Sequence, residues 1–419
     1  MPFISKIISE EIVDSNSKPT LKTAVYLDDG AQGTSSMPSG VSIGSLEALE
    51  LRDQDPNRYN GMGVLNAINN AQGIIFQAIK DINVYEQDKI DRTIIMLDGT
   101  FNKSKLGANA ILSVSLAVAV AASLSKKLPL FKYLRQISKF GPNEEFVIPR
   151  QMINLIEGGK HVKEGLDFQE FLVVPKGTRF VEEAYAKILK LIESLKSIVG
   201  KKTTDINLGM EGGFTVNLTT NEEALKLIKD AMENVEFSAN DFDLALDIAA
   251  MSVYQNGEYR VRDFDRALNS MGFIEFLTSL AKKYNLYSIE DPLSENDWIG
   301  WKEINKKLSP ATLVVGDDIT VTNQNRLTQA LETEAMSAVI IKPNQIGTLS
   351  ETLEFAYRAH EAGLKLIVSH RSGETEDTFI SDLAVAINAE LIKIGSPLKK
   401  ERYAKYNRLI EIEKELWRK

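Results

Sequence analysis

The sequence DLALD, at residues 243–247, is the first of six short apolar runs in the C-terminal half of the chain that each end in charged residues. The others are LYSIE at 286–290, TLVVGD at 312–317, AVIIK at 338–342, KLIVSHR at 365–371 and LIK at 391–393. Successive ends lie 23 to 43 residues apart. A strand, a loop and a helix of ten to fifteen residues together fill about 25 residues. The spacing therefore predicts successive βα units.

In a (β/α)8 barrel the carboxyl ends of the strands meet on one face, where active sites lie. We therefore expect the run ends to share one barrel mouth: Asp247, Glu290, Asp317, Lys342, His370 with Arg371, and Lys393. Two carboxylates about 4 Å apart repel by roughly 4 kcal/mol at an effective dielectric near 20, so three stay ionised together only around a cation. Two aspartates and a glutamate form a hard oxygen set that favours Mg²⁺. Taken alone, each residue could instead be a polar strand end, a helix cap or a surface ion pair.

The length, the net charge and the absence of cysteine exclude several classes of protein. A chain of 419 residues fits two domains, one of them a barrel of about 250 residues. The net charge of −9 argues against a nucleic-acid partner. There are no cysteines, which excludes disulfides, thiolate metal sites and a cysteine nucleophile. The N-terminus does not have the pattern of a secretory signal, and the longest apolar stretch, residues 111–125, is expected to be a buried helix too short to insert into a membrane. A cytoplasmic location is compatible with these features.

The first 140 residues predict an α+β domain. Residues 3–30 alternate like strands, with Asp29-Gly30 as a hairpin signal. Helical patterns follow in LEALELRD (46–53), in 64–82, in the apolar stretch and near 130–137. The loop MPSGVSIGS (37–45) offers backbone and hydroxyl groups to an anion or a metal, although most such loops are plain connectors. Gly141 marks the expected boundary with a barrel over 141–419, whose last helix packs Leu409, Ile412 and Leu416 inward.

Nine segments taken together resemble the enolase family, in that family's order, from about residue 12 to the C-terminus. They are MPSGVSIGSLEALELRD, LDGTFNKSKLGANAILSVSLAV, GGKHVKEGLDFQEF, GMEGGF, SIEDPLSENDW, VVGDDITVTN, IKPNQIGTLSET, SHRSGETEDTFISDLAV and AKYNRLIEIEKEL. The resemblance implies an α+β cap domain before a TIM-like barrel of the atypical order ββαα(βα)6. It also implies a hydro-lyase that converts 2-phospho-D-glycerate reversibly to phosphoenolpyruvate, with two Mg²⁺ ions per site and a homodimer or a higher assembly of dimers.

The resemblance further implies a role for each site residue. Asp247, Glu290 and Asp317 would hold one Mg²⁺, and Ser42 the second. Lys342 would remove the C2 proton, and Glu211 would protonate the leaving C3 hydroxyl. The substrate would be bound by His161, Gln169, Glu170, His370, Arg371, Ser372 and Lys393. Taken alone, His161 could be only a loop histidine and Lys393 a solvated strand end. A free lysine has a pKa of about 10.4, and lowering it to near 7 takes about 4 kcal/mol, which two metal ions and Lys393 could supply.

Several positions depart from the family pattern. Asn16 to Lys18 replace residues that include an arginine that often joins two subunits, so the dimer geometry is open. Ile43 replaces a threonine, and Val162 to Glu164 replace a small residue and an asparagine. Met210 replaces an aspartate just before Glu211. Losing that like charge is expected to lower the pKa of Glu211 unless Glu170 compensates, and so to reduce turnover or move the pH optimum downward.

Two alternatives stay open, and the departures bear on the second. The chain could act on a sugar acid without phosphate, but Arg371 and Ser372 argue against this substrate. It could instead be a non-catalytic binding protein. The survival of the three metal ligands, both lysines and Glu211 speaks against the second. The resemblance also allows a secondary pool at the cell surface or outside the cell, for which the terminal Lys419 is a very weak signal.

Overall fold

The computed structural model describes residues 1–40, 46–141, 144–162, 165–201, 206–238 and 240–417. It confirms the predicted architecture, an atypical α/β barrel preceded by an α+β N-terminal part. Ser42, Ile43, Lys163 and Lys419 lie outside the described residues. The division of the chain at residue 140 stays a prediction.

The N-terminal part begins with a three-stranded antiparallel sheet, ordered β1 (Ile4–Val13), β2 (Pro19–Leu27) and β3 (Gln32–Ser36). The predicted turn at Asp29-Gly30 joins β2 to β3, and Gly30 has a φ of 90° there, which glycine adopts without a steric penalty. Five helices follow: α1 (Leu65–Asn70), α2 (Phe76–Ile79), α3 (Gln87–Asp98), α4 (Ala108–Ser125) and α5 (Leu130–Ile137). A π-helical turn at Ala71–Ile75 connects α1 to α2.

Helix α4 is the core of this part. It has 18 residues, so by length and composition it could cross a membrane, which corrects the expectation that the stretch is too short. Its most apolar window is 83% buried inside the protein. The sheet packs so closely on it that a Cβ at Gly33 would lie 2.1 Å from the backbone nitrogen of Ala121. The apolar surface of α4 is therefore covered by its own chain, as predicted for a buried helix.

The segment LEALELRD was predicted to be helical and is irregular instead. Its backbone N–H groups are used by other elements, since Ala48 donates to the carbonyl of Gln345 and Leu49 to that of Asn102, both at 2.8 Å. The N–H of Leu51 donates to the side chain of Asn109 at 3.0 Å. These distant partners replace the i to i−4 bonds of a helix, so tertiary contacts override the local helical pattern.

The barrel has eight strands: β4 (Arg150–Glu157), β5 (Glu170–Pro175), β6 (Phe242–Asp247), β7 (Leu286–Glu290), β8 (Leu313–Gly316), β9 (Ala338–Ile341), β10 (Lys365–Ser369) and β11 (Leu391–Lys393). They neighbour one another in that order, and β11 pairs with β4 to close the ring. Strand β5 is antiparallel to both its neighbours, and the remaining ring pairs are parallel.

The helices of the barrel are α6 (Val181–Gly200), α7 (Asn221–Asn234), α8 (Ser270–Tyr284), α9 (Trp298–Leu308), α10 (Gln324–Glu332), α11 (Pro343–Ile346), α12 (Leu349–Glu361), α13 (Phe379–Ala386) and α14 (Lys400–Trp417). Helices α6 and α7 both follow β5, which gives the expected ββαα opening. Short 3₁₀ turns lie at Tyr59–Gly61, Gly159–His161 and Ala250–Ser252. Two-residue strand pairs join Asn207–Leu208 to Phe214–Thr215 and Tyr254–Gln255 to Glu258–Tyr259.

A separate cluster of nine buried apolar side chains is contributed by seven of the eight ring strands: Met152, Leu172, Val174, Ala245, Val315, Ala338, Ile340, Ile367 and Leu391. Side chains two residues apart on a strand point the same way. Asp247 therefore follows Ala245 into the barrel, as Asp317 follows Val315 and Lys393 follows Leu391. The alternation that fills the core also points the charged strand ends inward, at the mouth.

Candidate active site

The barrel mouth gathers most of the predicted site residues around one cavity. Those that line it are His161, Gln169, Glu170, Glu211, Asp247, Asp317, Lys342, His370, Arg371, Ser372 and Lys393. Glu290 is buried beside them, 1% exposed, and contacts Lys393. Ser42 lies outside the described residues. Residues separated by more than 200 positions in the chain thus meet where the strand ends predicted they would.

The ammonium group of Lys393 is surrounded by carboxylates. Its Nζ lies 3.0 Å from one oxygen of Glu170, from one oxygen of Asp247 and from both oxygens of Glu290. Burial lowers the pKa of Lys393, but the three carboxylates raise it by more, to well above its ordinary value. Burial and the charge of Asp247 raise the pKa of Glu290 to about 8. Lys393 is the cation that these acids face in this structure, and their carboxylate oxygens are also of the kind that Mg²⁺ prefers as ligands.

The second lysine, Lys342, contacts the carboxylate of Asp317. Burial lowers the pKa of Lys342, and Arg371 and Lys393 act in the same direction, yet Asp317 raises it above its ordinary value. Sequence reasoning expected a lowered pKa, with Mg²⁺ ions acting on it. The lysine becomes a base at neutral pH only when the charge of Asp317 is engaged by another cation.

The described residues contain two groups whose potential metal-ligating atoms all lie within 4.8 Å of one another. One is Asp291, Asp317 and Asp318, and the other is His161, Glu170 and Glu211. The predicted set of Asp247, Glu290 and Asp317 is not among them. In this structure lysines contact all three of its carboxylates. That set stays a prediction.

Glu211 lies in the turn between the two-residue strands Asn207–Leu208 and Phe214–Thr215, and the second of these pairs with the end of β4. This pairing brings the turn GMEGG to the barrel mouth, where Glu211 is 3% exposed. His370 Nε2 lies 3.0 Å from its Oε2. Burial raises the pKa of Glu211, but the nearby imidazoles of His370 and His161 and the charge of Arg402 hold it well below its ordinary value.

His370 is uncharged at neutral pH. Burial lowers its pKa to about 4, although Glu211 acts the other way. Its Nδ1 lies 2.7 Å from Nη1 of Arg402, and a guanidinium only donates hydrogen bonds. The proton of the ring is therefore on Nε2, the nitrogen that faces Glu211.

Several residues near the site were missed by sequence reasoning. Asp291 and Asp318 directly follow predicted ligands, so the doubled acids of IED and GDD were a usable signal. Asp291 accepts the backbone N–H groups of Asp317 and Asp318 at 2.9 and 2.8 Å and so fixes the end of β8. Glu157 ends the run MINLIE at 152–157, which is the same signal as that of the predicted strand ends, and it was overlooked. Glu47 gave no such signal, because only the fold brings it to Arg371.

The fold and the site together define a TIM-barrel enzyme whose mouth combines lysines, carboxylates and an arginine. Residues 4–134 match the family model described as the enolase N-terminal domain, and residues 145–419 match the model described as the enolase C-terminal TIM barrel domain. The chain belongs to the enolase family. The match supports a lyase of the enolase superfamily, and enzymes of the enolase family are in general Mg²⁺-dependent, bind a phosphorylated small-molecule substrate and typically form oligomers.

Proposed function

We propose that the chain is a phosphopyruvate hydratase, which converts 2-phospho-D-glycerate reversibly to phosphoenolpyruvate. One observation carries the proposal. Lys342 and Glu211 line the same cavity from positions three strands apart around the ring, since Lys342 follows β9 and Glu211 adjoins β4. Removing a proton from one carbon while a hydroxyl leaves the next requires a base and an acid that face the substrate from different sides.

On the base side, Lys342 takes the C2 proton once Asp317 no longer holds its ammonium form. Lys393 and Arg371 favour this change, because their positive charges lower the pKa of Lys342. Two Mg²⁺ ions, held by Asp247, Glu290 and Asp317 and at the second position by Ser42, would neutralise the charge that develops on the substrate carboxylate. Lys393 binds that carboxylate from the end of β11.

On the acid side, Glu211 gives a proton to the departing C3 hydroxyl. Gln169 and Glu170 lie on the same wall, at the start of β5, and His161 and His370 border the cavity. Arg371 and Ser372 bind the phosphate, since the planar fork of an arginine forms paired hydrogen bonds with phosphate oxygens. The phosphate and the carboxylate of the substrate thus each have a partner of opposite charge, and the leaving hydroxyl has an acid.

The direct test is an ultraviolet assay for the enolpyruvate product formed from 2-phospho-D-glycerate, with Mg²⁺ and with a chelator. We expect product only with Mg²⁺. Lys342→Met should abolish both dehydration and the exchange of the C2 hydrogen with deuterated water. Glu211→Gln should slow dehydration by about 10²-fold or more and leave C2 exchange in place. Folded wild-type protein that forms no product either with Mg²⁺ or with the chelator would contradict the proposal.

The same assay separates the two rivals. A superfamily enzyme for non-phosphorylated sugar acids would turn over acids that lack the phosphate, which a substrate screen with matched phosphorylated and free acids detects. A non-catalytic protein would show neither turnover nor C2 exchange with any of them.

The assembly and the location complete the proposal. The family's oligomers support a homodimer or a higher assembly of dimers, which light scattering after gel filtration would measure. We propose a cytoplasmic location, and a secondary surface or secreted pool would appear in cell fractionation.

A further inference from the structure

Glu157, the last residue of β4, is a buried carboxyl group that the proposed reaction leaves unused. It is 0% exposed. Its oxygens accept the backbone N–H of Glu211, at 3.1 Å to each, and that of Gly213 at 2.6 Å. A Cβ on Gly209 would lie 2.2 Å from its Oε2. The turn that carries the acid Glu211 is therefore wrapped around the carboxyl group of Glu157.

The imidazole of His161 lies between these two carboxyl groups. Its Nδ1 is 3.6 Å from Oε2 of Glu157, and its Nε2 is 3.8 Å from Oε1 of Glu211. Nδ1 has no hydrogen-bond partner within the described part of the chain. Each distance exceeds a hydrogen bond by about 0.5 Å, and such contacts in active sites shorten when substrate binds. An imidazole placed in this way can accept a proton at one nitrogen and release one from the other.

His370 does not offer a second path. It also contacts Glu211, but its far nitrogen faces Arg402, which has no proton to release at neutral pH. Of the two histidines at the acid, only His161 has a carboxyl group on its other side.

The charges around Glu157 decide where the proton resides. The groups that face it are Glu211 in the turn, His161 after β4, Glu170 opposite it on β5 and Arg402 on α14. Burial and the charge of Glu211 raise the pKa of Glu157 to about 8, against the backbone donors and Arg402. The pKa of Glu211 is well below its ordinary value. At neutral pH the proton is therefore on Glu157 and not on the acid that needs it.

We propose that Glu157 stores the proton that Glu211 delivers to the leaving hydroxyl, and that the imidazole of His161 passes it from one to the other. This inference rests on the proposed function. The O–H bond of Glu157 breaks as Nδ1–H of His161 forms, and Nε2–H breaks as the O–H bond of Glu211 forms. The ring stays neutral, and one negative charge moves from Glu211 to Glu157. Glu211 then protonates the leaving hydroxyl to give water. Solvent in the cavity reprotonates Glu211, which lines it, and the two transfers then run in reverse: the O–H bond of Glu211 breaks as Nε2–H of His161 forms, and Nδ1–H breaks as the O–H bond of Glu157 forms.

The test compares Glu157→Gln with wild type, because glutamine keeps an acceptor oxygen for the turn but holds no transferable proton. We expect dehydration to fall by about tenfold or more, KM to change less than about threefold, and C2 exchange, which depends on Lys342, to continue. A purely structural role would slow exchange and dehydration together. Asp382→Asn is the matched control, since Asp382 is another buried carboxyl group but lies against Arg408 outside the cavity. It should leave the ratio of exchange to dehydration unchanged.

Infrared titration of the protein without substrate gives a second readout. The spectrum of wild type minus that of Glu157→Gln should contain a protonated carboxyl band that disappears near pH 8. Glu290, whose pKa is also about 8, contributes to both proteins and cancels in the difference. If the glutamine variant does not fold, Glu157→Asp replaces it, and we expect the shorter side chain to shift the exchange-to-dehydration ratio by about threefold or more. An unchanged ratio in a folded variant, or a difference spectrum without the band, overturns the inference. A difference spectrum with the band, from a wild type that does not dehydrate 2-phospho-D-glycerate, refutes the proposed function instead.

Discussion

The guanidinium of Arg371, which follows barrel strand β10, forms a two-pronged ion pair with the carboxylate of Glu47 in the N-terminal part of the chain. Nη1 lies 2.7 Å from one carboxylate oxygen and Nη2 lies 3.1 Å from the other. Burial lowers the pKa of Arg371, but Glu47 raises it by more. This paired geometry is the one with which arginine binds phosphate. In the proposed function, the substrate phosphate therefore shares or replaces a contact that also joins the two parts of the chain.

Arg371→Lys tests this relationship. Lysine keeps the charge but lacks the planar fork, so we expect KM for 2-phospho-D-glycerate to rise by about tenfold or more, and inhibition by inorganic phosphate to weaken equally. Arg408→Lys is the control, because Arg408 forms a similar fork with Asp382, at 2.8 and 2.7 Å, away from the cavity. The control should leave KM unchanged. Equal KM values in wild type and Arg371→Lys would show that Arg371 does not bind the phosphate.

The barrel and the main part of its mouth were predictable from the sequence for a physical reason. A buried parallel strand is a continuous apolar run, and its charged end lies at the barrel mouth. The positions of Asp247, Lys342 and Lys393 could therefore be predicted from the sequence. The pairing of Glu47 with Arg371 joins residues 324 positions apart and leaves no local pattern. Glu157 also ends an apolar strand, but its partners, which are backbone N–H groups of a distant turn, leave no local pattern.

The carboxylates around Lys393 predict that Mg²⁺ stabilises the protein. An ion that binds only the folded state at about 100 times its Kd adds about 2.7 kcal/mol, which raises the melting temperature. Asp247→Asn should weaken Mg²⁺ binding by about tenfold or more, measured by calorimetry. Asp243→Asn changes the same residue type at the other end of β6, where Asp243 pairs with Lys176 at 2.8 Å, and should leave the affinity unchanged. Equal affinities in both variants would exclude Asp247 from the metal site.

Met210→Asp tests the effect of the methionine that replaces the family's aspartate next to the acid Glu211. A carboxylate placed beside Glu211 raises its pKa by like-charge repulsion, so a larger fraction of the acid is protonated at each pH. We therefore expect the alkaline limb of the kcat profile to move upward, by about half a pH unit or more. Met210→Asn is the uncharged control of similar size. Identical limbs in both variants would mean that the residue at 210 does not influence the acid.

Two glycine substitutions in the N-terminal part are expected to change the stability of the fold in opposite directions, because Gly33 lies in the close contact of β3 with α4 and Gly73 has open space around it. In Gly33→Ala the new Cβ would lie 2.1 Å from the backbone nitrogen of Ala121 and 2.3 Å from the backbone oxygen of Ala117, so the sheet must move off the helix. Such overpacking costs about 1–3 kcal/mol or more. Gly73 lies in the π-helical turn with no atom within 4 Å of an added Cβ, and Gly73→Ala should stabilise by about 0.5–1 kcal/mol, because alanine loses less backbone entropy. Thermal unfolding followed by circular dichroism should therefore place the midpoint of Gly33→Ala below wild type and that of Gly73→Ala at or above it. The reverse order would show that the sheet is free to separate from α4, and that this contact does not hold the N-terminal part together.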